Sequence, residues 1–148
     1  MSKWEEFRVA TVREVFGGKA VYIALSGDQS GVDATVQFAK LTDWLFLKGK
    51  TKFVLDLRQA RYPDDAVDRI LARAERILVG APPYTSAIVH QGEHHYALQQ
   101  MLRLNMRLGN AVKAVRSVSE ARSFLVPRTA SSDVAYIEDF QPVATARR

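Results

Sequence analysis

His90, Glu93, His94 and His95 crowd one short stretch of the chain, and neutral imidazoles beside a carboxylate are the ligand chemistry of divalent transition metals. A histidine in such a place is also suited to acid–base work, because its ordinary pKa lies close to neutrality. The H-x3-H-H spacing across a loop matches no zinc motif, however. A solvated or pH-sensitive binding rim therefore competes with a catalytic one, and neither a bound metal nor a cofactor is expected. A second set precedes it: Arg61, Tyr62, Asp64, Asp65 and Asp68. Carboxylates at the start of a helix face its unpaired amide donors, worth ~0.3–1 kcal/mol each. Arg69, Arg73 and Arg76 continue the charge gradient along that helix. The same stretch is also a candidate surface for docking another protein, with Asp64, Asp65, Asp68, Arg61 and Tyr62 as its contact residues.

Other chemistries find little support. Ser26, Ser30, Ser86, Ser117, Ser119 and Ser123 lack the glycine-flanked setting of a nucleophile elbow. Gly17-Gly18 is too short to cradle a phosphate. The chain has no cysteine, which removes disulfides, thiolate metal sites and cysteine nucleophiles. Met101 and Met106 read as core filling on a helix rather than as a ligand box.

The elements that must position these residues follow from periodicity. Arg8 to Phe16 and Lys19 to Ser26 read as two strands across Gly17-Gly18, a hairpin whose turn needs positive φ. Gly27 to Gly31 is a polar loop, and Asp33 is placed to cap a helix from Ala34 to Leu47. Phe38, Leu41 and Leu45 form its core stripe. Trp44, Phe46 and Leu47 widen that stripe, either tucked under a loop or exposed as an apolar patch. Phe53-Val54-Leu55 is a strand of the fully buried type, and Asp56-Leu57-Arg58 turns polar where it should end. A helix opens at Tyr62-Pro63-Asp64-Asp65, with Val67, Ile70, Leu71, Ala74, Ile77 and Leu78 at three-and-four spacing. Ser86 to Val89 is a short strand ending at His90, a third helix spans His95 to Leu108, a last strand follows at Val112, and Ser119 to Leu125 closes as a helix before Pro127. The predicted fold class is α/β: an initial β-hairpin, then alternating α and β, giving a mixed five-stranded sheet with about four helices.

Of the 148 residues, 47% are apolar, which is ample for one core. Residues 1–126 read as a single domain and 127–148 as a mostly disordered tail, in which Val134 to Phe140 carry a few apolar side chains. The net charge of +5, from 21 basic and 16 acidic residues, is scattered and not interleaved with aromatics. Specific nucleic-acid binding is therefore not expected. No apolar run approaches a transmembrane length, and Met1-Ser2-Lys3-Trp4-Glu5-Glu6 lacks the order of a signal peptide. The chain is read as cytoplasmic.

Val54-Leu55-Asp56-Leu57, then Tyr62 or Pro63 and Asp64 before a helix, resembles the strand and turn of the STAS domains, the anti-sigma-factor antagonists and their relatives. Ala111-Val112-Lys113-Ala114-Val115 with Glu120-Ala121 and Phe124-Leu125 looks like that family's closing strand and helix. The likeness extends from Val9 to Leu125 and reaches the small bacterial STAS-like proteins often grouped with lipid-binding CRAL-TRIO domains. It implies a STAS-like fold and a non-enzymatic regulatory module. The implied partner is another protein, of regulatory-kinase or sigma-pathway type, and a homodimer is compatible with it. One departure matters: Asp65 stands where the switching antagonists carry their phosphorylated serine. A carboxylate cannot accept that phosphate, and its charge of about −1 falls short of phosphoserine's. Two further readings stand beside this one: a carrier or sensor of a small apolar or lipid ligand, and a metal-assisted enzyme using His90, His94 and His95.

Overall fold

The computed structural model describes residues 10–92 and 94–127. Five strands form one sheet in chain order: β1 (Ala10–Val15), β2 (Ala20–Asp28), β3 (Lys52–Arg61), β4 (Thr85–Val89) and β5 (Ala111–Val115). β1 pairs antiparallel with β2, and every later pairing is parallel. The hairpin turn needs positive φ at Phe16 (57°) as well as at Gly17 (68°) and Gly18 (85°). A non-glycine residue tolerates the left-handed region at some cost. Here the half-buried Phe16 ring lies 5.9 Å below the Arg122 guanidinium.

The four helices are α1 (Val32–Leu47), α2 (Val67–Leu78), α3 (His95–Arg107) and α4 (Val118–Leu125). Right-handed crossovers that step steadily across a sheet put their helices on one face. Accordingly, Ile23, Leu25, Phe53, Leu57 and Ile88 share one core with Leu41, Leu45, Leu98 and Met101 of α1 and α3. The opposite face, with Ala20, Tyr22, Val54, Ala87 and Val89, is covered in part by α4 through Ala121 and Leu125. Ser117 caps α4, its Oγ accepting from the Glu120 amide at 3.1 Å, and the Glu120 carboxylate accepts from the Arg116 amide at 2.6 Å. Such reciprocal capping explains a start slightly earlier than Ser119.

Several expectations are corrected. β3 does not end at Asp56 but runs to Arg61. Its register against β2 shifts between Ala24 and Ser26, so that β3 holds one extra residue. A bulge of this kind reverses which face later side chains occupy. Leu57 faces the core under α1–α3 in step with Phe53 and Leu55, and beyond the bulge Ala60 and Tyr62 consequently join the same core. Asp33 does not cap α1: the N-cap is Gly31, which makes no side-chain cap bond, and the preceding turn is built by Asp28, whose Oδ1 accepts from the Ser30 amide (2.9 Å) and hydroxyl (2.6 Å). Trp44 and Phe46 are half-buried against the core, Phe46 in a ring cluster with Phe53 and Tyr84 at 5.8–5.9 Å. Only Leu47 of that trio is exposed. Lys40 and Asp43 interrupt its stripe with Val32 and Val36, so there is no continuous apolar patch. Met101 is buried as expected, but Met106 faces solvent. The tail reading, including Val134 to Phe140, lies outside the described residues, as does Arg8 of the first strand.

Candidate functional site

The carboxyl edge of the sheet gathers most of the residues singled out above. Arg61 is the last residue of β3, and its guanidinium pairs with Asp28 at the end of β2 (3.0 Å). Both groups are exposed, so the pair is worth little in stability. Hydrogen bonds from Ser30, side chain and backbone, hold the Asp28 carboxyl below the usual range. Tyr62 follows and is buried, its ring edge-on to His94 at 5.7 Å. Burial alone pushes its hydroxyl pKa up. Tyr62 thus supports the turn from beneath instead of offering a contact.

A 3-10 turn over Asp64–Ala66 then leads into α2. Asp64 and Asp65 are both exposed, and neither makes a side-chain cap bond. No hydrogen bond or ion pair joins either carboxylate to the described residues. Their bonded role as caps is therefore absent, and only the favourable position at the helix start remains. Asp68 differs: its Oδ1 accepts from Tyr96 Oη at 2.7 Å, linking α2 to α3.

The histidines reach the same edge but divide their duties. His94 Nε2 lies 2.8 Å from the Ala60 carbonyl, an acceptor, so this nitrogen carries the proton and donates. That bond and the Tyr62 ring pin the start of α3 to the end of β3. His95 is exposed and sits 3.1 Å from Gln99 Nε2. His90 accepts from the Gly92 amide through Nδ1 at 3.1 Å, and burial, Arg116 and His95 lower its pKa. Glu93 lies outside the described residues. Among the described residues no three or more His, Asp or Glu side chains are grouped as a metal would require. The acidic turn and His94 thus adjoin Tyr62, whereas His90 lies in the neighbouring β4–α3 loop and His95 is the first residue of α3.

One polar cluster escaped the sequence reading. Asp56, buried in β3, accepts from Tyr22 Oη (2.5 Å) and from Arg58 Nε and Nη2 (3.0 and 2.8 Å). The Arg13 guanidinium stacks 4.7 Å above the Tyr22 ring. Burial acts to raise the Asp56 pKa, but the bonds from Arg58 and Tyr22 outweigh it and hold the carboxyl low. Burial and Asp56 push the Tyr22 phenol up. The signal was present in the alternation of Val54, Asp56 and Arg58, which puts acid and base on one strand face.

Comparison with known proteins adds the fold's relatives. No protein-family model matches the sequence, and no curated protein is similar to it. Among solved structures, an anti-sigma factor antagonist from Mycobacterium paratuberculosis aligns with a TM-score of 0.50 at 11% identity, over 78% of this chain and 92% of that one. The anti-sigma factor antagonist SpoIIAA in its unphosphorylated form aligns with a TM-score of 0.50 at 14% identity, over 80% of this chain and 99% of that one. The β-hairpin, the mixed five-stranded sheet and the four helices are the fold of the anti-sigma-factor antagonists, the STAS fold.

Proposed function

We propose that the protein is a non-enzymatic, cytoplasmic regulatory module of STAS type that docks another protein through the Asp64–Asp65 turn. The observation that carries this reading is the turn itself. Two adjacent carboxylates stand exposed at the carboxyl edge of the sheet and have no hydrogen-bonding duty inside the described fold. Asp68 and Arg61 flank them, and Tyr62 with His94 fixes the backbone below. A partner with a basic surface suits this edge, because charge complementarity steers encounter and fixes register. Asp65 replaces the phosphorylatable serine of the switching antagonists, so the interaction is constitutive with respect to a serine kinase. The metal-assisted enzyme reading gains nothing from the histidines, since His94 is engaged with a backbone carbonyl.

Capture from native lysate tests the docking reading. Wild-type protein is expected to retain a discrete basic partner that Asp65→Lys loses while its far-UV circular dichroism stays native. Asp43→Lys, on the exposed side of α1, serves as the control that keeps the partner. An identical set of captured proteins for Asp65→Lys and wild type would leave the turn with a purely structural role.

A further inference from the structure

Helix α2 does not seal the sheet beneath it. Of its residues only Val67 is buried; the apolar stripe of Ile70, Leu71, Ala74, Ile77 and Leu78 is half-buried. Under it lies a cavity of about 150 Å³, walled by residues such as Phe38, Leu45, Phe53, Leu71, Ile77 and Met101. A cavity of about this size lined by aliphatic and aromatic side chains holds a benzene-sized molecule.

The polar side chains in the wall separate into two groups. Gln29 Nε2 donates to the Ser26 and Gly27 carbonyls, and Asn105 accepts from Tyr84 Oη and donates to the Met101 carbonyl. Tyr62, Thr42 and Ser86 are as deeply buried, at 6–7% exposure, yet their hydroxyls have no hydrogen-bond partner among the described residues. Buried hydroxyls are almost always paired, so the unpaired Tyr62 hydroxyl in the cavity wall calls for an occupant that supplies an acceptor. Arg73 also lines the cavity. Its Nη1 reaches from α2 to the Ser30 carbonyl (3.2 Å) and Thr35 Oγ1 (3.4 Å), both neutral, and no carboxylate among the described residues pairs with it. Tyr62 follows the last residue of β3, and Ser30 lies just past the end of β2. Arg73 and Tyr62 therefore mark the polar end of the cavity, at the carboxyl edge of the sheet.

We infer that this cavity is a binding site for a small apolar monocarboxylate, one ring or a short chain in size. Its hydrocarbon body lies between α2 and the sheet, and its carboxylate accepts from Arg73 and Tyr62. The cavity is too small for a two-chain lipid. The site is separate from the exposed Asp64–Asp65 surface, so its failure would leave the docking reading untouched.

Amide chemical shifts in a titration with sodium benzoate test the site, with sodium chloride as the salt control and toluene as the uncharged isostere. Benzoate is expected to shift α2 and the facing strands saturably, with a Kd in the millimolar range or tighter. Tyr62→Phe and Arg73→Gln should each weaken it about tenfold, the loss of one charge-assisted hydrogen bond. Ala74→Phe, which fills the cavity, should abolish binding in a protein whose spectrum remains dispersed. Absence of saturable shifts with wild type would overturn the inference and leave the Tyr62 hydroxyl to water. Toluene binding as tightly as benzoate, with no effect of Tyr62→Phe, would overturn the acid.

Discussion

Asp56 sits where acid and base are forced together by a strand, and its environment sets a measurable pH dependence. Arg58 and Tyr22 depress its folded-state pKa below the unfolded carboxylate value of about 3.9. The stabilisation is therefore fully present above that value and lost as pH falls through the lower folded pKa. In urea denaturation near neutral pH, Asp56→Asn is expected to cost about 1–3 kcal/mol. The gap between wild type and variant should narrow below about pH 4 as wild-type Asp56 protonates. A gap that stays constant from neutral pH to well below 4 would show that the ion pair contributes nothing. At this scale the sequence was only partly legible. Types and spacing marked Asp64, Asp65 and His94 as edge residues, and they are. Tyr62 was misplaced on the surface, because the bulge that turns it inward depends on pairing with β2 and leaves no trace in local spacing.

Elements with a clear period were legible nearly to the residue. α3 and α4, with caps and apolar stripes, differ from expectation by a residue or two, and the hairpin follows from its glycine pair. β3 was cut short because Asp56 and Arg58 look like a polar exit, whereas on one face of the same strand they satisfy each other. The phase of α2 was right but its burial was not. Val67, Ile70, Leu71, Ala74 and Leu78 do face inward, yet the gap beneath them keeps all but Val67 half-exposed. Periodicity specifies which side of a helix turns inward, not how closely it approaches the sheet. Leu71→Ala is consequently expected to cost less than the ~2–5 kcal/mol of a fully buried leucine, about 1–2 kcal/mol, because a half-buried side chain has less buried apolar surface to lose. Equilibrium urea unfolding measures this. A cost at or above about 3 kcal/mol would mean that α2 packs directly on the sheet and that the cavity closes in solution.

The last described helix ends on packed residues. α4 ends at Leu125, which is buried, and the Leu125 carbonyl accepts from Lys52 Nζ at 2.9 Å, tying the last helix to the first residue of β3. Ala121 is likewise buried under β4, and Pro127 stands exposed as the helix gives way. Both faces of the central strands are thus covered by α1–α3 on one side and α4 on the other. Among the described residues, the face of β1 around the exposed Arg13, beside Tyr22, is left partly open. Removing the residues after Arg128 is therefore expected to leave a single cooperative thermal transition, with stability changed by no more than about 0.5 kcal/mol. The alternative has a definite place to act. Val134 to Phe140 carry apolar and acidic side chains, and the open face presents Arg13 and Arg58. If that segment packed there, truncation would strip cover from Tyr22 and Asp56 and lower stability by more than about 2 kcal/mol, with the loss concentrated in protection of β1 and β2 amides from hydrogen exchange. That pattern would extend the domain past Leu125 and make the chain's own end a structural element of the sheet.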